Sequence, residues 1–265
     1  MRIYIITMDD PIQTYDFIKD IIDAKENEIV GLAVPKGNRL TISKGKSKYT
    51  YIFSLLLIMG FWHFFKSSWT TIIFKIKKKL HGFGILKSPS ISAYATSKGI
   101  PIELITTPNS KKFRSYLETL DIDIIINQSQ NIIKKELLEI PKIGILNRHN
   151  ALLPKNRGRL TPFWVMLNGD KETGVSIHFV EEGIDSGDIV VQKKYKVGKK
   201  DNFNSIVKKN YDLASKAMIE AIDYLNNNNN YTLITNDDDR ATYNTTPTLK
   251  QALTYRKKVI KNIFN

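Results

Sequence analysis

Apolar and polar positions along this chain fall into blocks that separate strands from helices. Ile3 to Thr7 is a short continuous apolar run, the pattern of a strand covered on both faces. Ile12 to Ala24, after Pro11, repeats apolar residues at helical spacing, and Ile29 to Val34 is a second short run. Strand, helix, strand is the opening of a parallel α/β sheet. The alternation resumes with a helix over Ser90 to Lys98, a strand over Ile102 to Thr106 and a helix over Lys111 to Leu120. A strand at Ile122 to Ile126, a helix at Ile132 to Glu139 closed by Pro141, and a strand at Ile143 to Leu146 follow. Strands at Gly174 to Val180 and Ile189 to Val197 come next, then a long helix, Phe203 to Leu225. A last helix, Pro247 to Ile263, lies beyond the low-complexity run Asn226 to Asn230. The pattern predicts an α/β fold with a doubly wound, mostly parallel, Rossmann-like sheet. It places a catalytic domain over residues 1–200 and a small, mainly helical C-terminal extension over 201–265.

One block breaks the rhythm. Tyr51 to Phe65 reads YIFSLLLIMGFWHFF, and Trp69 to Leu80 mixes Ile, Phe and Lys, so residues 49–80 form a hydrophobic insertion after a basic loop, Gly37 to Lys48. A spanning helix wants about 20 apolar residues, and Ser54, Gly60 and His63 interrupt this run. Two readings stay open: a helix buried in the core or a subunit contact, and a Lys-flanked amphipathic segment lying on a membrane face.

Composition adds bounds. With 265 residues, 42% hydrophobic and 25% charged, the chain suits one large domain with an appendage. The absence of cysteine excludes a disulfide framework and a thiolate nucleophile or metal site. The start, MRIYIITMDD, reads as a strand followed by acids rather than as a signal peptide. A formal charge of +14 suits an anionic partner, although the lysines are scattered except at Lys75 to Lys79. The first turn, Thr7 to Pro11, lacks the glycines that would let a backbone close around phosphate.

The candidate chemistry sits between Asn147 and Asp188. Asn147 and His149, two apart at a strand end, lie on one face of the strand. The chain turns at Ala151 to Pro154, makes a basic loop with Lys155, Arg157 and Arg159, and returns through Gly174 to Val180. A glycine-flanked acidic loop then holds Asp185. An amide, an imidazole and a carboxylate can thus converge where α/β sheets bind ligands, beyond the carboxyl ends of the strands. That set suits acyl transfer. His178, on the returning strand, reads as a satisfied core imidazole.

The stretches NRHNALLPKNRG and TGVSIHFVEEGIDSGDI resemble the folate-dependent formyltransferase family, best over Ile102 to Val197. The resemblance implies transfer of a formyl group from N10-formyltetrahydrofolate to an amine, with no metal. It makes Asn147 the stabiliser of the oxyanion, His149 the base or proton relay, and Asp185 the group that holds the ring and passes a proton. The folate would lie between Ser129, Gln130, Asn131, Ile132 and Ile133 on one loop and Val180, Glu182, Gly183 and Ile184 on the other. Asn150, Lys155, Arg157 and Arg159 would face the acceptor.

Within the family, the acceptor expected is a nucleotide-linked amino sugar, such as a 4-amino-4,6-dideoxyhexose destined for surface polysaccharide. The basic loop would then meet its diphosphate. Glycinamide ribonucleotide and methionyl-tRNA are the alternatives, as is a membrane-surface or nucleic-acid binding module that retains the fold. A cytoplasmic homodimer is expected, with membrane contact through 49–80 and no nucleic acid.

Overall fold

The computed structural model describes residues 1–36, 47–82, 90–228 and 230–264; most of the basic loop Gly37 to Lys48 lies outside them. Its centre is β1 (Ile3–Thr7), buried along its whole length. Parallel to it run β2 (Ile29–Pro35) and β4 (Ile124–Gln128), with β3 (Ile102–Ile105) beyond β2 and β5 (Gly144–His149) beyond β4. Past a two-residue strand, β6 (Arg157–Gly158), come β7 (Glu172–Phe179) and β8 (Ile189–Lys196), which complete the sheet in antiparallel sense. The order is β3-β2-β1-β4-β5-β7-β8.

Helices cover both faces. On one lie α1 (Tyr15–Lys25), α4 (Ile91–Ser97) and α8 (Phe203–Asn227), sharing a core with Ile3, Ile5, Leu146, Val175 and Ile177. On the other, α5 (Lys111–Glu118) and the short α6 (Lys135–Leu138) bury Phe113, Leu117 and Leu137 against Tyr4, Ile6, Ile125 and Ile145. Each fully buried Ile or Leu in these clusters contributes roughly 1.5–3 kcal/mol. A third cluster joins α2 (Lys48–Met59), α7 (Thr161–Asn168) and α9 (Leu249–Phe264) through Ile58, Phe163, Trp164, Ala252 and Tyr255.

Several expectations change. The boundary at 200/201 does not separate two cores: α8 places Ala214, Ala217, Met218, Ala221 and Ile222, at helical spacing, in the same cluster as β1. Its start is fixed by a capping box, the Asn202 side chain accepting from the Ser205 amide while the Ser205 hydroxyl accepts from that of Asn202. The helix expected over Ile132 to Glu139 shrinks to α6 because Asn109 holds the preceding residues extended. Its Nδ2 donates to the Ile132 carbonyl at 2.8 Å and its Oδ1 accepts from the Lys134 amide at 3.0 Å. The helix α7 had no expectation; Pro162 in its first turn is the start signal. The hydrophobic insertion is two helices, α2 and α3 (Phe61–Gly82), bent by 119° at Gly60. The helix α2 packs against α9, α3 and α8, whereas α3 buries Phe74 on one side and leaves Trp62 81% exposed, so the expected burial in the core holds for α2 and for one side of α3 alone.

Candidate active site

The strand expected to end at Leu146 continues to His149 because β7 supplies it with a partner. Asn147 lies opposite His178 and His149 opposite Ser176, and opposed residues of an antiparallel pair leave the sheet on one face. Arg148, between them, leaves on the other and stacks over Phe17 and Tyr211, 4.4 and 5.2 Å from their ring centres.

Asn147 Oδ1 accepts a hydrogen bond from Gln128 Nε2 at 2.9 Å. That bond sets the orientation of the amide and leaves Nδ2 as a donor for whatever occupies the site. The imidazole of His149, 5% exposed, has Nε2 2.9 Å from the Asn156 carbonyl and Nδ1 3.4 Å from Asp185 Oδ2. A carbonyl only accepts, so Nε2 carries a hydrogen, and Nδ1 is the atom that can exchange a proton with the carboxylate.

Asp185 sits in the left-handed region, φ 48°, where Asp is better tolerated than most residues. Its Oδ2 accepts from the Gly158 amide at 2.8 Å and its carbonyl from Asn236 Nδ2 at 2.8 Å. Gly158 allows this by having no side chain: a Cβ there would lie 2.1 Å from the Asn244 carbonyl oxygen, at a φ of +99°.

His178 is as buried as expected, but its edge belongs to the site. Nδ1 donates to the Phe179 carbonyl at 2.7 Å, while Nε2 has no hydrogen-bond partner and stands 3.8 Å from Asp185 Oδ1. Burial pushes its pKa down to about 4; the Asp185 charge pulls it up and His149 adds to the lowering. His178 is therefore a neutral ring beside the carboxylate.

The basic loop departs from expectation. Arg157 is fully buried. Its Nη1 donates to Asp238 Oδ1 at 2.6 Å and the Tyr243 hydroxyl at 2.7 Å, and its Nη2 to Asn236 Oδ1 at 2.8 Å and the Asn236 carbonyl at 2.9 Å. Arg157 thus pins the loop to the segment after α8, and the one nitrogen without a partner, Nε, is buried. The short strand β9 (Tyr243–Asn244) pairs with β6, and Asn244 Nδ2 donates to Asn156 Oδ1 at 2.9 Å. The post-α8 segment thereby holds the residue that holds His149. Asn236 and Asn156 are positioning residues that sequence reasoning missed, since an Asn in a loop carries no pattern; Gln128 was legible as part of the strand end Asn127 to Gln130, though not its bond to Asn147.

Asn150 lies beside the site but is engaged through its carbonyl, which accepts from Thr161 Oγ1 at 3.0 Å and Asn210 Nδ2 at 2.9 Å. Lys155 and Arg159 are exposed. Of the expected folate residues, Ile133 is a core residue and Val180 is packed against the same core, its amide donating to the Ile145 carbonyl at 2.7 Å. Ser129 closes its own turn by donating to Asn127 Oδ1 at 2.8 Å. Gln130, Asn131, Glu182 and Gly183 are exposed on the two loops, with Ile132 82% and Ile184 63% exposed. Each of the two loops thus carries one bare isoleucine. A cavity of about 590 Å³ lies elsewhere, lined by Lys111, Arg114, Asp121, Glu136 and Lys142, and contains none of these residues. Among the described residues no group of three or more His, Cys, Asp or Glu is placed to hold a metal ion.

The family model described as formyl transferase matches residues 71–222. The methionyl-tRNA formyltransferase of Prochlorococcus marinus (strain MIT 9515) is 36% identical over 159 residues, covering 58% of this chain and 47% of that protein. The chain spans about half the length of the curated relatives it matches. Among solved structures, glycinamide ribonucleotide transformylase 1 from Symbiobacterium toebii superposes with a TM-score of 0.59 at 14% identity, covering 89% of this chain and 94% of that one. The N-formyltransferase from Helicobacter canadensis, in complex with folinic acid and dTDP-3-aminofucose, superposes with a TM-score of 0.51 at 17% identity, covering 92% and 71%.

Proposed function

The chain belongs to the formyl transferase family, and from that membership we propose that it moves a formyl group from N10-formyltetrahydrofolate to the amine of a nucleotide-linked amino sugar. The observation that carries the reaction is the convergence of the Asn147 amide, the His149 ring and the Asp185 carboxylate within one sheet edge.

N10-formyltetrahydrofolate, when bound, supplies an activated one-carbon electrophile. Asn147 Nδ2, held outward by Gln128, donates to the formyl oxygen as negative charge develops there. The attacking amine must shed a proton, and Asp185, 17% exposed against 5% for His149, is the more accessible acceptor. His149 Nδ1 stands 3.4 Å behind it and can share that proton, which passes to N10 of the tetrahydrofolate as the carbon–N10 bond breaks and the new amide bond remains. Neutral His178 puts no second positive charge beside the carboxylate. The exposed Ile132 and Ile184 suit the pterin.

For the acceptor, Lys155 and Arg159 are exposed on the loop whose Gly158 amide meets Asp185, and their charge suits a diphosphate. A phosphate at the first turn is disfavoured, because Asp10 Oδ1 already accepts from the amides of Ile12 and Gln13 at 2.8 and 2.7 Å. That weighs against glycinamide ribonucleotide. Methionyl-tRNA stays as the second reading, favoured by the sequence relatives.

The test is a formyl-transfer assay with N10-formyltetrahydrofolate against amino-sugar nucleotides, methionyl-tRNA and glycinamide ribonucleotide. Formylated sugar nucleotide as the dominant product is expected. Turnover of methionyl-tRNA alone would select the second reading, and no turnover of any amine would remove the proposal.

A further inference from the structure

The helix α3 turns an apolar face away from the protein. At about 100° per residue, its exposed large side chains, Phe61, Trp62, Phe65, Trp69, Ile72 and Ile76, fall within an arc of roughly 100°. The side that meets the protein is nearly opposite and carries Ser67, Thr71 and the buried Phe74. Lysines rim the apolar arc on both sides, Lys75 and Lys79 along one edge, Lys66 and Lys77 along the other. No acid occurs anywhere from Lys48 to Gly82.

We propose that α3 is a membrane-surface helix, which lays its aromatic face into the headgroup region of an anionic bilayer while its lysines meet the lipid phosphates. Tryptophan prefers that interface, and lysine stems can run along apolar surface with their ammonium groups in the headgroups. Charge decides the occupant. A second copy meeting this face would bring lysine rim against lysine rim with no acid on either helix, whereas an anionic lipid surface complements both rims. The helix lies on the bilayer and does not cross it: no single helix among the described residues is long and apolar enough to span, and α2 and α3 diverge by 119°. Lys78, on the inward side, anchors α3 to Asp9, just past the end of β1, with Nζ 2.5 Å from Oδ2. The apolar face is thus tied to the same carboxyl edge of the sheet that carries the active site. The inference stands on this face alone and is independent of which amine is formylated.

The test uses the full chain with extruded vesicles of phosphatidylcholine, with and without 30% phosphatidylglycerol (about one lipid in three, as for an anionic leaflet). Co-sedimentation with the anionic vesicles is expected, with a blue shift of Trp62 and Trp69 emission and quenching by brominated acyl chains. Trp62→Ser with Trp69→Ser, and separately Lys66→Gln with Lys77→Gln, should each weaken partitioning by roughly tenfold or more. Circular dichroism and formyl transfer in solution should stay at the parent level. Absence of binding to anionic vesicles would overturn the proposal. So would binding that ignores the tryptophan substitutions, or concentration-dependent self-association without lipid that those substitutions abolish, which would make the face a contact between copies.

Discussion

Asn236 donates through Nδ2 to the main-chain carbonyl of Asp185 at 2.8 Å, across 51 residues of chain. The same nitrogen also reaches the Gly187 carbonyl at 2.8 Å, and the Asn236 amide donates to Asp188 Oδ1 at 3.1 Å. One side chain from beyond the long helix α8 therefore sets the conformation of the acidic loop.

Replacing it should loosen the carboxylate without removing it. Asn236→Ala should lower kcat by about ten- to a hundredfold and stability by on the order of 2 kcal/mol, through unsatisfied buried carbonyls and the side-chain acceptor lost from Arg157 Nη2. Steady-state kinetics beside urea unfolding would separate the two effects. Parent-level kcat at full folding would show that the loop holds its shape without Asn236.

Asn147→Ala should cost about a hundred- to a thousandfold in kcat, the range for loss of one donor to a developing oxyanion. Folate binding, read by ligand fluorescence, should change little. Gln128→Ala should produce a smaller loss, because the Asn147 amide then loses the bond that orients it. Equal losses in the two variants would mean that orientation carries the whole effect.

His178 predicts a pH dependence. Its pKa, about 4 in the folded protein because of burial, lies below the ordinary value of about 6.5. Between those values the unfolded chain binds the extra proton, so stability from this group is full above about pH 6.5 and is lost as pH falls toward 4. The loss amounts to as much as roughly 3 kcal/mol. Urea unfolding at pH 7, 5.5 and 4.5 should show a steeper fall for the parent than for His178→Gln. Identical slopes would assign the acid sensitivity to other groups.

Arg157→Ala should lower stability by on the order of 2–3 kcal/mol, since it strips a partner from buried Asn236 and empties a buried site. Arg157→Lys should recover less than half, because an ammonium cannot reproduce the planar fork. The acceptor KM, corrected for the folded fraction, should stay within about twofold, a change near the noise of such free energies. A large rise in KM with unchanged stability would return Arg157 to the substrate.

The sequence alone pointed to the sheet and to the candidate groups of the site. Runs such as Ile3 to Thr7 and Ile122 to Ile126 are short and mostly apolar, the pattern of strands covered on both faces, and the spacing of Asn147 and His149 places them together once that strand exists. These are local properties, encoded by period and turn chemistry. What only the tertiary structure decided is contact at long range. It made Arg157 a buried pin where a basic loop suggested a ligand, turned His178 toward Asp185, and carried Asn236 to the acidic loop. It also set the aromatic stripe of α3 outside the core, which hydropathy could not decide. An apolar helix face reads the same whether it meets protein or lipid, and a polar side chain shows its partner only when the chain has folded around it.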